Sequence, residues 1–172
     1  MNYSTDFPSI KDQVSPQEWQ ARVDLAACYR LIDKYEMTDL VYNHITARIP
    51  GEADVLLLNL YGLLYKEITA SSLVKIHVDG EVIWKPDTDY DINKSGYVIH
   101  GAIHKARPDV ACVLHTHTRA GMAVAAMKCG LFRSRRPRSA LLDTSAITIM
   151  KGRLSNSTSA NGSCAIWARM TH

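Results

Sequence analysis

The chain has 172 residues, 47% of them hydrophobic and 22% charged, with a formal net charge of +3, which suits one globular domain with a real core. No stretch approaches the ~18 continuous apolar residues of a membrane span, and the N-terminus lacks a basic start followed by an apolar segment. The four cysteines, Cys28, Cys112, Cys129 and Cys164, show no C-x-x-C spacing, so a disulfide framework is excluded in favour of reduced thiols in a cytoplasmic protein.

The first element is a helix opened by Ser15-Pro16-Gln17-Glu18. Serine is its N-cap, proline its first helical residue, and Glu18 stands where a capping box needs it. Apolar residues at Val23, Ala27 and Leu31, and at Leu25, Cys28, Ile32 and Tyr35, predict one buried stripe reaching about Met37. Residues 42–49 read as a strand stopped by Pro50-Gly51, and residues 55–60 as a second strand ending near Gly62. Residues 74–78 and 81–84 flank Asp79-Gly80, a two-residue hairpin signal. Residues 97–106 are helical, with Val98, Ala102 and Ile103 on one side; His100 and His104, one turn apart, could in principle bind metal, but a polar helix face is the favoured reading for them. Arg107-Pro108-Asp109 then turns the chain into the run Val110–Leu114, which reads as a buried strand. A helix rich in alanine and methionine follows from Thr118 to Cys129, closed by Gly130. A helix, an antiparallel meander and a helix-strand-helix unit together predict a sheet covered by helices on both faces.

The residues that carry chemistry stand at the end of that last strand. In His115-Thr116-His117, side-chain alternation puts both imidazoles on one face, about 7 Å apart along the backbone. Two ring nitrogens so placed can converge on one zinc ion at about 2.0–2.1 Å. Two polar residues meeting solvent at a strand end are the simpler alternative for the bare motif.

From Leu131 onward the character changes. Residues 131–172 carry seven basic residues and one acidic residue, Asp143, whereas residues 1–130 carry 13 basic and 16 acidic ones. No sustained periodicity appears there, and the Ser/Asn/Thr run at 155–163 supplies no core. The cluster at Arg133, Arg135, Arg136 and Arg138 has the composition of a nucleic-acid patch, a reading set aside below.

Four stretches taken together resemble the class II aldolase/adducin family over about residues 19–131: residues 39–48 (DLVYNHITAR), 61–69 (YGLLYKEIT), 107–110 (RPDV) and 115–118 (HTHT). The resemblance implies an α/β fold, a three-layer α/β/α domain, often a homotetramer, incomplete here at its C-terminus. It divides the chain into a partial family domain at 1–131 and a poorly ordered tail outside the family at 132–172. It also implies zinc bound by three histidines, the metal polarising carbonyl and enolate oxygens of a sugar phosphate during aldol cleavage or epimerisation. His115 and His117 match two of those ligands. Asn43 and His44 fall at a phosphate loop, and Gly62 and Ser95 near other phosphate-binding positions; all four could equally satisfy local backbone or turn the chain.

Two departures bear on activity. Gly96 occupies the position of the family's acid/base glutamate, and glycine transfers no proton; this favours the adducin-like branch. The third histidine ligand is expected well downstream, and His172 is no substitute for it. A metal-dependent aldolase-like protein for a small carbonyl substrate is therefore the leading expectation, truncated and impaired in this form. A non-catalytic adducin-type interaction module is the alternative. A cupin-like barrel, which also uses His-x-His, is opposed by the two helices that flank the meander.

The tail carries a further signal. When each codon's last base is read with the first two of the next, residues 146–152 permit Tyr-His-Asp-Tyr-Glu-Gly, the glutamate being forced by the Met150 codon. Residues 131–140 permit LPLSQTALR, and residues 155–172 permit ELDLRERLVRDLGP, with positions forced by Trp167 and Met170. These strings resemble the family's continuation, so the tail is expected to be a frameshifted reading of it. Its basic run is then accidental, and neither nucleic acid nor membrane is an expected partner.

Overall fold

The computed structural model describes residues 2–127, apart from the side chains of Ser95 and Val124. The expectations for Cys129, Gly130 and the tail at 132–172 lie outside the described residues. The chain divides into two compact units, Met1–His117 and Thr118–His172.

In the first unit, α1 spans Pro16–Lys34, and the Ser15 hydroxyl accepts from the Glu18 amide at 3.1 Å, as the sequence predicts. The capping box does not close. Glu18 turns instead to Arg22 (2.8 Å) and Lys75 (2.8 Å), forming a buried ionic group between helix and sheet. The buried face of α1 is thus Glu18, Arg22, Leu25, Ala26 and Tyr29. Val23, Leu31 and Tyr35 are exposed, contrary to the predicted stripe, because a paired Glu–Arg couple occupies the position that periodicity gives to apolar residues. The helix ends at Lys34 with the Glu36 amide bonded to Asp33 O and the Met37 amide to Ile32 O, a Schellman closure with Glu36 at φ +56°.

The sheet has the order β4-β3-β2-β1-β5, antiparallel throughout. Its strands are β1 (Ile45–Arg48), β2 (Val55–Leu58), β3 (Val74–His77), β4 (Val82–Trp84) and β5 (Cys112–Leu114). Central β2 is buried on both faces, Leu56, Leu57 and Leu58 being at most 1% exposed; each such side chain contributes about 1.5–3 kcal/mol. The β3–β4 connection is a three-residue loop, not a two-residue one: His77 N–H bonds Glu81 O, and Gly80 takes the left-handed position at φ +92°.

Alternation on β1 assigns the layers. Ile45 joins the core that includes Leu25 and Tyr29 of α1, and the Tyr29 hydroxyl accepts from the Ile45 amide at 2.9 Å. Thr46 points the other way, onto α2 (Lys94–Ala106). Helices thus cover both faces, the expected three-layer α/β/α arrangement. Arg48 fixes the second layer by donating to the His104 carbonyl in the last turn of α2 and to Val110 O at 3.2 Å.

β5 corrects the expectation of a buried strand. It is three residues long, pairs with β1 alone among the described residues, and leaves Cys112 and Leu114 exposed. In the second unit, α3 runs Arg119–Ala126, with the Thr118 hydroxyl accepting from the Gly121 amide at 3.1 Å.

Candidate metal centre

Three histidines from three elements meet where β1 and β5 lie side by side. His44 immediately precedes β1, His100 lies in the second turn of α2, and His115 immediately follows β5. Ring centroids are 4.1 Å apart for His44–His100, 4.4 Å for His44–His115 and 5.5 Å for His100–His115. One ligating nitrogen from each lies within 4.8 Å of the others. The register Ile45↔Leu114 places the first and third next to each other. Tyr29 anchors the start of β1 through the Ile45 amide, so α1 also bears on where His44 sits.

The hydrogen bonds tie down one nitrogen of His44 and one of His100. His44 Nε2 is 3.0 Å from the Gly96 carbonyl, an acceptor that requires the proton on Nε2. Nδ1 of His44 then carries the lone pair, and it is buried without a hydrogen-bond partner. Thr46 Oγ1 lies 2.9 Å from His100 Nδ1 and 3.0 Å from His104 Nε2. With one proton, that hydroxyl donates to one ring and accepts from the other. Which ring receives the proton depends on the tautomers of the two histidines. Nε2 of His100 lies 3.3 Å from His115 Nδ1.

All three rings are neutral at pH 7. Burial, reinforced by His115, holds His44 at about 3, and burial with His117 nearby holds His115 at about 4. Burial and then His44 keep His100 well below the ordinary histidine range. Neutral imidazole is the ligating form. An all-imidazole set suits zinc, copper, iron or nickel, and three histidines offering one nitrogen each within 4.8 Å of one another fit such an ion.

His117 lies beside His115. The strand ends before both histidines of the motif, so strict alternation does not govern them. The ring centroids of His115 and His117 are 5.3 Å apart, and His117 Nδ1 lies 2.8 Å from Asp39 Oδ2. His100 and His104 are not on a solvent face, as the sequence suggested; they are 2% and 0% exposed and turned onto the sheet. The detectable signal was Thr46, an inward hydroxyl on β1 that needs partners from the facing helix.

The other expected site residues have separate surroundings. Asn43 is 1% exposed; its Oδ1 accepts from the Asp39 amide and its Nδ2 has no hydrogen-bond partner. Gly62 is at φ +107°, and a Cβ there would lie 2.9 Å from the Tyr90 ring, so its backbone alone requires glycine. Ser95 lies in the first turn of α2, its side chain outside the described residues.

Known proteins share this fold. Residues 23–162 match the family model described as the class II aldolase and adducin N-terminal domain. The chain belongs to the class II aldolase and adducin family. It is 53% identical over 122 residues to a Pseudomonas aeruginosa protein named "Putative aldolase class 2 protein", covering 71% of this chain and 46% of that one. It is 49% identical over 110 residues to rat alpha-adducin, covering 64% of this chain and 15% of that one. A crystal structure of an aldolase II superfamily protein from Pseudomonas syringae superposes with TM-score 0.80 at 45% identity, over 92% of this chain and 63% of that chain. L-fuculose 1-phosphate aldolase from Glaciozyma antarctica superposes with TM-score 0.61 at 30% identity, over 70% of this chain and 49% of that one. The chain spans about half the length of the curated bacterial relatives it matches. No described helix is long and apolar enough to cross a membrane.

Proposed function

We propose that this family member acts through a divalent metal ion, zinc by preference, on a small carbonyl compound such as a phosphorylated sugar. The convergence of neutral imidazoles around His115, a family metal position, carries that reading. When bound, the ion supplies Lewis-acid polarisation of the substrate carbonyl, the charge stabilisation that aldol cleavage or epimerisation needs. Asn43 offers an uncommitted Nδ2 donor to a substrate oxygen, and with His44, Gly62 and Ser95 it makes up the substrate-binding set. Ligation by His115 and His117, the pair given by the family resemblance, is the starting assignment. The reading extends to a cytoplasmic homo-oligomer.

Gly96 favours a second reading, an adducin-type interaction module without catalysis. A Cβ at residue 96 would lie 2.9–3.0 Å from the His44 ring, so no side chain capable of proton transfer fits there without displacing that ring. Incubation of the zinc-loaded chain with ketose 1-phosphates separates the two. Zinc-dependent release of a smaller carbonyl product supports the first; none from a stoichiometrically loaded protein supports the second.

A further inference from the structure

We propose that Asp39 is a positioning residue of the metal centre, its carboxylate holding His117 so that the ring offers Nε2 as a ligand beside His115. The inference rests on the metal-dependent reading above and deepens it. His115 and His117 are kept as ligands, and a residue 78 positions from His117 in the chain is assigned to orient it. His117 Nδ1 lies 2.8 Å from Asp39 Oδ2. A carboxylate accepts and does not donate, so in the neutral ring the proton stands on Nδ1 and the lone pair on Nε2. Two imidazoles on one tetrahedral zinc, each bound at about 2.0–2.1 Å, hold their ring centroids about 5 Å apart. The His115 and His117 centroids are 5.3 Å apart, a spacing that suits a shared ion.

Asp39 is itself held in place. Its amide donates to Oδ1 of the buried Asn43, and its carbonyl accepts from the Tyr42 amide at 2.9 Å. Between them Leu40 is at φ +50° with its side chain exposed. Leucine rarely adopts that left-handed conformation, so the turn is held by Asn43 and not by burial of Leu40. Asn43 also precedes His44, and one short segment therefore carries both the carboxylate on His117 and a histidine of the cluster around His115. Metal-bound histidines characteristically give their second N–H to a carboxylate or carbonyl, which fixes the tautomer and raises the basicity of the ligating nitrogen. The pair serves the fold weakly. The His117 and Asp39 side chains are 35% and 49% exposed, and an ion pair so open to water contributes little to stability.

Two measurements on the full 172-residue chain test the assignment. Zinc affinity is read by competition with a chelating dye, and the His117 tautomer from the nitrogen shifts of its isotope-labelled ring in chelator at alkaline pH. His117→Gln identifies the ring signal. The wild type is expected to bind zinc and to carry the His117 proton on Nδ1. Asp39→Ala is expected to weaken zinc binding by about 10–100-fold and to move the His117 proton toward Nε2, with the thermal midpoint in chelator unchanged. Asp39→Asn, which keeps a weaker acceptor of the same shape, is expected to lose less. Unchanged zinc affinity in Asp39→Ala, or a wild-type His117 protonated on Nε2, overturns the role of Asp39 and leaves the metal-dependent reading standing. Weaker binding together with a lower midpoint of Asp39→Ala in chelator marks a structural role and overturns it likewise. Failure of the folded wild type to bind any zinc overturns both.

Discussion

The His44 ring lies where a side chain at Gly96 would begin: a Cβ there would be 2.9 Å from Nε2 and 3.0 Å from two ring carbons. One residue position thus joins the expectation of an acid/base glutamate there to the observation of a packed imidazole in the space its side chain would need. Gly96→Ala gains about 1 kcal/mol in helix propensity but overpacks a buried ring, at a cost of about 1–3 kcal/mol. Thermal unfolding is expected to show a lower midpoint than wild type. A raised midpoint would contradict this contact.

Gly101 provides the sharper version of the same test. A Cβ there would come 2.6 Å from the Val78 carbonyl oxygen, a backbone atom that cannot rotate away. Gly101→Ala is expected to destabilise by about 1–3 kcal/mol in denaturant unfolding, despite favourable propensity. Stabilisation would show that α2 does not approach the sheet so closely.

The Glu18–Arg22 pair predicts an asymmetry between single and double replacement. Arg22 is fully buried and also donates to Leu73 O at 2.6 Å. Glu18→Ala leaves its charge uncompensated and is expected to cost about 3–5 kcal/mol, whereas replacing both residues by apolar ones of similar volume is expected to recover most of it. Chemical denaturation of the single and the double variant reads the difference. Equal losses in single and double variants would count against the ionic account.

A pH dependence follows from His104, which is 0% exposed and held at about 4, first by burial and then by Arg48. Its pKa is lowered on folding, so the unfolded chain takes up a proton near pH 6.5 and the folded chain does not until about 4. Stability is therefore complete above pH 6.5 and falls as pH drops toward 4, by about 1.4 kcal/mol per pH unit for this one group. Unfolding free energies in chelator should fall less steeply across that window for His104→Asn than for wild type. Parallel slopes would rule out a neutral buried His104.

The reading frame after Leu131 is tested by nucleotide sequence. We infer that one inserted or deleted base near that codon restores a frame encoding LPLSQTALR, YHDYEG and ELDLRERLVRDLG in succession, reaching a histidine in an apolar-Arg-Asn-His-Gly context. The family model matches to residue 162, as an in-frame tail would give. The pairwise alignments with the bacterial and alpha-adducin relatives, of 110–123 residues, are what a shifted tail would give. Stop codons in the shifted frame would establish the tail as genuine.

Local rules were readable wherever the signal was local. Ser15 caps α1, Gly80 turns the hairpin, and the alternation of helices and strands gives three layers. Burial of polar groups was not readable, because its compensation comes from distant segments. Arg22 looks like solvent face until Glu18, Leu73 O and the sheet surround it. His100 and His104 look the same until Thr46 is placed opposite them. For the same reason His115 was legible as a candidate ligand, while its neighbours His44 and His100, 71 and 15 residues away in sequence, were not grouped with it.

The central claim is most directly tested by crystallising the zinc-soaked chain and calculating an anomalous difference map at the zinc edge. The account predicts one peak among the histidines around His115, with a ring nitrogen of His115 at about 2.0–2.1 Å. No peak among these histidines would contradict it.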